Sequence, residues 1–230
     1  MNSLPLVSVL MPVRDRHQYL PLALHSYASQ CYPRKELILV DDGDEEAWPL
    51  VKDIPDCIYI RLSEPMSLGM KRNIGCEAAQ GSYIAQMDSD DWSHPLRISQ
   101  QVEQITRYRK SITGYCCFHL WDVLTGVAHR YASRYVCGAS LLYEKSWWKD
   151  HPFPDVTVAE DEGYGIHNTE ARWPLNGYGK LVALLHESNT STRQQVERYP
   201  EVFPQVPVSE ISTAFLSALE SSLPRKIVTA

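Results

Sequence analysis

The sequence lacks features that mark several common classes of protein. It has no apolar run approaching the roughly 20 residues of a membrane span, and Met1–Leu6 shows no basic segment before a long apolar stretch. It has no glycine-rich loop of the Walker or GxGxxG type, which argues against an ATPase or a dehydrogenase. No internal repeat or low-complexity segment is evident. We therefore expect neither a transmembrane segment nor a signal peptide.

Positive charge is also scarce. The chain has 22 Lys and Arg against 28 Asp and Glu, a formal net charge of -6, whereas a general nucleic-acid binder should be basic. The cysteines form no CxxC pair, so a zinc site is not expected. We interpret them as reduced, mostly buried thiols of a cytoplasmic protein. They are Cys31, Cys57, Cys76, Cys116, Cys117 and Cys137.

The first half of the chain alternates short apolar runs with helical or loose segments. With 230 residues, 44% of them hydrophobic, the chain suits one globular domain with a full core. The alternation predicts an α/β fold with a parallel sheet and helices on both faces. The predicted strands are Leu6–Val13, Glu36–Val40, Cys57–Leu62 and Tyr83–Met87. The predicted helices are Gln18–Gln30 and Ser67–Ala79, the second capped by Gly81.

The second half reads differently. A helix should follow Pro95 to about Arg107. An antiparallel hairpin should join Ile112–Leu120 to Val127–Tyr135, and strands are predicted at Val136–Tyr143 and Lys180–Leu185. Apolar residues repeat at helical spacing after Val208, so we expect an amphipathic helix packed on its own domain, with a homodimer contact as the alternative.

Charged residues follow three of the predicted parallel strands. Ligands bind at the carboxyl ends of such strands, where Arg14-Asp15, Asp41-Asp42 and Asp88-Ser89-Asp90 lie. Like charges cost free energy unless something positive is near, and a divalent cation holding a phosphate fits hard oxygen ligands. Lys71-Arg72 lies in the helix before the last of these strands. We expect a metal and diphosphate site, the alternative being solvated turns and helix caps.

Six short motifs in this order resemble the family 2 glycosyltransferases of the GT-A fold. The resemblance extends from about Val7 to Ser191. It implies a Rossmann-like, mostly parallel sheet with a small antiparallel hairpin. It also implies a domain over 1–195, with a nucleotide-binding half (1–110) and an acceptor-binding half (111–195), followed by a C-terminal loop and helix (196–230). The motifs are Val7–Val13, Leu39–Gly43, Gly69–Gly75, Met87–Trp92, Glu160-Asp161 and His186–Ser191.

The resemblance also implies roles for individual residues. In this family the acidic pair after the second strand binds the nucleoside, the Asp-x-Asp coordinates a divalent metal on the diphosphate, and a Glu-Asp pair supplies the catalytic base. A late histidine can complete the metal shell. The roles carried over are nucleoside contacts from Asp41 and Asp42, further donor contacts from Pro12, Arg14, Lys71, Arg72, Asp88 and Ser89, metal ligation by Asp90 and His186, and the base Asp161.

The implied activity is a metal-dependent transfer of a sugar with inversion at the anomeric carbon. The cofactor would be Mn²⁺ or Mg²⁺, the donor a UDP-, GDP- or dTDP-sugar, and the acceptor a glycan, a lipid-linked molecule or another hydroxyl compound. Such a hexosyltransferase would serve polysaccharide or glycoconjugate biosynthesis, with at most peripheral membrane contact. The chemistry agrees, because a Lewis acid can stabilise the leaving diphosphate and a carboxylate can accept the proton of the attacking hydroxyl.

The sequence also allows other roles for these residues and other functions for the protein. Glu160–Glu162 also suits a charged helix start, His186 a packed histidine, and Lys71 and Arg72 a solvated helix face. A non-catalytic sugar-nucleotide-binding protein or a nucleotidyltransferase would be other functions. The loop Arg14-Asp15-Arg16 departs from the family's pattern, and its two arginines could contact a phosphate or an acidic substrate. Aromatic candidates for acceptor stacking, which core packing explains equally well, are Trp121, Tyr135, Trp147, Trp148, Tyr164 and Trp173.

Overall fold

The computed structural model describes residues 4–189 and 192–224, which form one mixed sheet of eleven strands flanked by seven α-helices. The strands are β1 Val7–Val13, β2 Lys35–Asp41, β3 Cys57–Arg61, β4 Tyr83–Gln86, β5 Trp92–Ser93, β6 Ile112–Asp122, β7 Ala128–Ala132, β8 Leu142–Glu144, β9 Arg172–Asn176, β10 Leu181–Leu185 and β11 Gln205–Val206. The α-helices are α1 Leu20–Ala28, α2 Trp48–Val51, α3 Leu68–Ala78, α4 Arg97–Tyr108, α5 Lys145–Asp150, α6 Thr192–Arg198 and α7 Thr213–Ser222.

The first four strands form the predicted parallel sheet. Strand β1 lies between β2 and β4, and β3 pairs with the far side of β2. All seven residues of β1 are buried, because helices cover both faces. Val9 and Met11 pack with residues of α1 and α4, whereas Leu10 packs with residues of α3. The carboxyl ends of β1, β2 and β4 therefore meet at one edge of the sheet, as the sequence predicts.

The long strand β6 organises the second half. Its start pairs with β8 and β9, and its end pairs with β7 and β10. The predicted hairpin of β6 and β7 is confirmed as antiparallel. Strand β8 pairs antiparallel with β4, which joins the two halves into one sheet.

Two boundaries differ from the sequence prediction because hydroxyl groups compete for backbone hydrogen bonds. The predicted strand Val136–Tyr143 is instead a 3₁₀ turn at Gly138–Ser140 before β8. Ser140 Oγ accepts from the Tyr115 amide (2.7 Å) and donates to the Cys137 carbonyl (2.8 Å), which turns the chain away from the ladder. Strand β7 ends at Ala132, three residues before Tyr135, and Ser133 Oγ accepts from the Tyr135 amide.

Glycines mark two close approaches to β1. The prediction that Gly81 caps α3 is wrong, because the helix ends at Ala78 and Ala79 is already extended. A Cβ on Gly81 would lie 2.7 Å from the Leu6 carbonyl oxygen and the Ser8 amide nitrogen. A Cβ on Gly75 would overlap the Leu10 side chain, so this glycine lets α3 pack directly on β1, as its place on the apolar face indicates.

The C-terminal helix α7 packs on its own domain. Phe215 is fully buried, and its ring meets those of Trp92 and Trp121 edge-on at 5.8 and 5.9 Å. Ala218 and Leu219 belong to the same core cluster. Packing on the domain is confirmed, whereas a homodimer through this helix stays a prediction. Among the described helices, none is both long and apolar enough to cross a bilayer.

The cysteines are less buried than the sequence suggests. All six thiols are free, but burial is complete only for Cys76 and Cys117, and Cys31 is exposed. No disulfide joins any part of the chain that the structure describes.

Truncating Phe215 should destabilise the fold. We expect Phe215→Ala to lower the free energy of unfolding by about 3–5 kcal/mol, because the ring leaves a cavity among three packed elements. Ser217→Ala, on the exposed side of the same helix, should change it by less than about 0.5 kcal/mol. Urea denaturation measures both, and equal effects would show that α7 does not contribute to the core.

Candidate active site

The loops after β1 and β4 and the segment 157–162 line one cleft of about 790 Å³ at the carboxyl edge of the parallel sheet. Eight of the eleven predicted site residues line it, and the remaining three, Asp41, Asp42 and His186, lie behind its wall. The lining residues among the predicted set are Pro12, Arg14, Lys71, Arg72, Asp88, Ser89, Asp90 and Asp161. The topology therefore brings together motifs that lie far apart in the chain.

Asp41 is fully buried, and its carboxylate is hydrogen-bonded to neighbouring residues of the protein. It accepts hydrogen bonds from the Gly43 amide (3.0 Å), the Ala47 amide (2.8 Å) and the Tyr59 hydroxyl (2.7 Å). Arg61 lies 3.4 Å away. This carboxylate therefore fixes the loop after β2, and its direct contact with a nucleoside stays a prediction.

Asp42 is paired with the predicted basic residue Lys71. Lys71 Nζ lies 2.7 Å from Asp42 Oδ1, and the other carboxylate oxygen accepts from the Met66 amide at 2.9 Å. Both side chains are buried, so Lys71 is not part of a solvated helix face. The pair joins α3 to the end of β2 and keeps a positive charge at the cleft wall.

Three carboxylates crowd together after β4. Asp88, Asp90 and Asp91 each offer an oxygen, and these atoms lie within 4.8 Å of one another. Burial and the neighbouring carboxylates Asp90 and Asp88 raise the pKa of Asp91 well above its usual range. Burial raises the pKa of Asp88 in the same way, although Arg72 opposes it. Such crowding of hard oxygen ligands is suited to a divalent cation.

Asp90 differs from its two neighbours because it has cationic and hydrogen-bonding partners. Its Oδ2 lies 2.7 Å from Arg16 Nη1 and 2.9 Å from His186 Nε2. Burial acts to raise the pKa of Asp90, but the hydrogen bond with His186 and the charge of Arg16 outweigh it and hold this pKa below its ordinary value. His186 is fully buried, and its ring stacks on Tyr19 with 4.1 Å between centroids.

Arg72 links the Asp-x-Asp segment to the Glu-Asp segment. Its buried guanidinium lies 3.0 Å from Glu160 Oε1 and 3.7 Å from Asp88 Oδ1. Burial raises the pKa of Glu160 to about 7, with Arg72 opposing the shift. Arg72 Nε and Nη1 have no hydrogen-bond partner among the described residues. A buried cation with free donors at a cleft wall is suited to an anionic ligand.

Asp161 lines the cleft together with the carboxylates that follow β4. Ala159, just before the acidic pair, has a positive φ of 63°, which turns the chain sharply. The Asp161 carboxylate then packs against Gly138, where a Cβ would lie 2.8 Å from its Cγ. Asp161 is only partly buried, whereas Glu160 is 5% exposed and engaged by Arg72. Asp161 is therefore the freer of the two carboxylates.

Aromatic side chains also line the cleft, but they are mostly not the predicted ones. Of the predicted candidates only Tyr135 lines it; Trp148 and Tyr164 are buried in the core, and Trp173 stacks on Tyr108 at 3.8 Å. The other aromatic lining residues are Phe118, Tyr131 and Phe203, with Tyr131 stacked on Phe203 at 5.1 Å.

Neither Arg16 nor Asp91 has a place in the metal site predicted from the sequence. Arg16 contacts Asp90, and Asp91 completes the carboxylate group. The departure of the loop 14–16 from the family's pattern was the available signal for Arg16. Asp91 had the same local signal as Asp88 and Asp90, since it directly follows them. Phe203 had none, because it lies outside the matching motifs.

Comparison with known proteins supports the fold and identifies the family. The glycosyl transferase family 2 model matches residues 8–150. An uncharacterized glycosyltransferase of Haemophilus influenzae is 36% identical over 105 residues, which is 44% of this chain and 42% of that protein. The chain spans less than half of the length of the curated relatives it matches.

Two solved structures share the fold at low identity. S. aureus TarS 1-349 in complex with UDP-GlcNAc has a TM-score of 0.63 and 16% identity, covering 95% of this chain and 73% of that one. The mannosyltransferase PcManGT from Pyrobaculum calidifontis, in complex with GDP-Man and Mn²⁺, has a TM-score of 0.60 and 12% identity, covering 86% and 61%. The mixed, mostly parallel sheet with acidic strand ends is thus a GT-A fold. The chain belongs to glycosyl transferase family 2.

Removing Arg72 should destabilise the protein. We expect Arg72→Met to lower the free energy of unfolding by about 3 kcal/mol, because it leaves Glu160 and Asp88 without their shared cation. Arg14→Met, which removes an arginine whose side chain is 52% exposed, should have an effect below about 1 kcal/mol. Denaturant unfolding compares the two. An Arg72 variant no less stable than the Arg14 variant would contradict the linking role.

Proposed function

We propose that this chain is a metal-dependent glycosyltransferase that moves a sugar from a nucleotide-sugar donor to an acceptor hydroxyl with inversion. One observation carries the proposal: three carboxylates suited to a divalent cation and a separate, freer carboxylate, Asp161, line the same cleft. The buried Arg72 contacts Asp88 of the first set and Glu160, the neighbour of Asp161 in the chain. TarS with UDP-GlcNAc and PcManGT with GDP-Man and Mn²⁺ support this donor class and cofactor.

The residues present fit a divalent cation. One oxygen of each of Asp88, Asp90 and Asp91 lies within 4.8 Å of the others, and burial together with the two neighbouring carboxylates raises the pKa of Asp91 well above its usual range. We assign Asp90 and His186 as ligands, with Asp88 beside them. A bound Mn²⁺ or Mg²⁺ would supply Lewis-acid stabilisation of the departing diphosphate.

The basic residues of the cleft would hold the donor. Two guanidinium nitrogens of Arg72, Nε and Nη1, have no hydrogen-bond partner among the described residues, and contacts with Glu160 and Asp88 hold the group in place. Its positive charge at the cleft wall would favour binding of a phosphate group. Arg14 lies at the more open end of the same wall. Asp42 fixes Lys71 and so holds a third positive charge near this wall. These groups favour an anionic leaving group over a neutral one.

Asp161 would act as the general base. Asp161 lines the same cleft as Asp90, so an acceptor bound there could present its hydroxyl to Asp161 while it attacks the anomeric carbon. A carboxylate within hydrogen-bond reach can take the hydroxyl proton as the new bond forms. This arrangement gives single displacement, and hence inversion.

The acceptor would occupy the aromatic end of the cleft. Phe118, Tyr131 and Phe203 come from β6, β7 and the segment before β11, and form a continuous wall of rings. Such a wall suits the apolar face of a sugar ring or another flat group. We therefore assign donor binding to residues 1–110 and acceptor selection chiefly to 111–195, with Phe203 added from the C-terminal segment.

The test is binding and turnover across a panel of UDP-, GDP- and dTDP-sugars with and without Mn²⁺. Wild-type protein should bind one donor class in a metal-dependent manner. Asp90→Asn should lose the metal dependence, because it removes a charged ligand. Asp161→Asn should bind the donor normally, and its turnover rate should fall by at least about a hundredfold, because the variant lacks the base.

The control is Asp53→Asn, which removes an exposed carboxylate far from the cleft and should behave as wild type. Binding without turnover in every acceptor tried would favour a non-catalytic sugar-nucleotide-binding protein. Absence of binding to any nucleotide sugar would refute the transferase assignment. Retention of the donor's anomeric configuration in the product, read by NMR, would refute inversion.

Gly138→Ala should impair turnover without impairing donor binding. The added methyl group would overlap the Asp161 carboxylate and displace it, and misplacement of a base by about 1 Å can cost about a hundredfold in rate. Gly163→Ala is a matched control, because a Cβ there meets no atom within 4 Å. Steady-state kinetics at saturating donor compare the two. Equal rates would argue against Asp161 as the base.

A further inference from the structure

A side chain of this protein occupies the space between the two proposed metal ligands. Arg16 Nη1 lies 2.7 Å from Asp90 Oδ2 and 2.9 Å from His186 Nε2. One guanidinium nitrogen carries two N–H bonds, so Arg16 can donate to both atoms in the tautomer of the imidazole that leaves Nε2 unprotonated. Ser188 Oγ, 3.0 Å from His186 Nδ1, can accept a hydrogen bond from the N–H that the imidazole then carries on Nδ1. In the other tautomer Nε2–H donates to Asp90 Oδ2, and Arg16 donates to Asp90 alone.

The spacing of the two acceptor atoms resembles that of ligands on an ion. Asp90 Oδ2 and His186 Nε2 lie 2.9 Å apart. Two ligand atoms about 2.1 Å from one octahedral ion, at right angles, are about 3 Å apart. The two atoms face the same cationic nitrogen, so the site is arranged around a positive charge that the chain itself provides.

The backbone fixes Arg16 in this place. The Arg16 carbonyl accepts from the amides of Tyr19 (2.9 Å) and Leu20 (2.8 Å), which ties it to the start of α1. Asp15 has a positive φ of 52°, and its Oδ1 accepts from the Asp44 amide at 2.7 Å. The loop is thus anchored on both sides of the arginine.

The ion pair between Arg16 and Asp90 is largely shielded from solvent but borders the cleft. The Arg16 and Asp90 side chains are 15% and 13% exposed, and both residues line the cleft. Ion pairs shielded from water are stronger than those at the surface. Arg16 and a divalent ion cannot both contact Asp90 Oδ2 and His186 Nε2 in this way, since like charges at such distances repel.

We propose that Arg16 is an exchangeable counter-cation of the metal site, which holds Asp90 and His186 together in the free protein and is displaced when a divalent ion binds. The inference rests on the proposed function, because it takes Asp90 and His186 as the ligands. A donor diphosphate in the cleft would give the displaced guanidinium a new anionic partner. In the absence of a nucleotide, the protein should therefore bind a divalent ion more weakly than the same ligands would without Arg16 beside them.

The test is Mn²⁺ titration of the free protein, with unbound Mn²⁺ measured by electron paramagnetic resonance and no nucleotide present. Arg16→Gln should raise the Mn²⁺ affinity about ten- to a hundredfold over wild type, since it removes a competing charged hydrogen-bond donor. Arg14→Gln removes the same charge from the same loop but does not touch Asp90, and should change the affinity by less than about threefold.

The outcomes separate this inference from the proposed function. Mn²⁺ binding that depends on Asp90 but is no tighter in Arg16→Gln than in Arg14→Gln overturns the exchange and leaves the metal site intact. An absence of Mn²⁺ binding in wild type and in both variants overturns both. Weak binding in wild type and tight binding in Arg16→Gln, abolished by adding Asp90→Asn, supports both.

Arg16→Lys keeps the inference testable if Arg16→Gln does not fold, which thermal unfolding would reveal. Lysine retains the charge but has a shorter reach and no planar fork to bridge the two acceptors. Its Mn²⁺ affinity should exceed that of wild type by about three- to tenfold. An affinity equal to or below that of wild type would contradict displacement of Arg16 by the ion.

Discussion

The structure depends on balancing a concentration of negative charge at the edge of the parallel sheet. Asp41 and Asp42, at the end of β2, are buried, and Asp88, Asp90 and Asp91, after β4, are partly buried, so that water screens their charges less well than at an open surface. A cationic side chain lies beside four of these five carboxylates. Arg61 lies near Asp41, Lys71 pairs with Asp42, Arg72 lies near Asp88, and Arg16 pairs with Asp90. Asp91 is the exception, with a backbone amide of β10 as partner and a strongly raised pKa.

Small residues and unusual backbone conformations let these charges meet. A Cβ on Gly43 would lie 2.7 Å from Asp15 Oδ1, so only glycine lets the loops after β1 and β2 approach so closely. The positive φ of Ala159 and the open face of Gly138 do the same for the Glu160-Asp161 segment. Packing of α3 on β1 through Gly75 then sets the depth from which Arg72 reaches both acidic segments.

Sequence reasoning succeeded where one local signal decided the structure. Apolar runs such as Val7–Val13 are long enough to fix a strand and its two buried faces, and the order of strands and helices fixed the parallel sheet. It failed where a side chain competed with the backbone: Ser140 turned a predicted strand into a 3₁₀ turn, and nothing in an apolar run shows which hydroxyl will do so. For the site, motif order identified which residues gather at the cleft, but not that Asp41 faces the protein interior while Phe203 reaches the cleft.

The position of Arg16 shows how a departure from a family pattern can be compensated within the same site. An added arginine in the first loop would disturb a metal site if its charge remained free beside the ion. Here its charge is already neutralised by Asp90, and the histidine that could complete the metal shell is the second acceptor. If a divalent ion displaces Arg16 as we propose, the site has one arrangement without the ion and another with it, and the free energy of exchanging the two cations determines how strongly metal binding depends on the donor. The loop 14–16, which departs from the family's pattern, thus contacts the Asp-x-Asp segment directly through the Arg16–Asp90 ion pair.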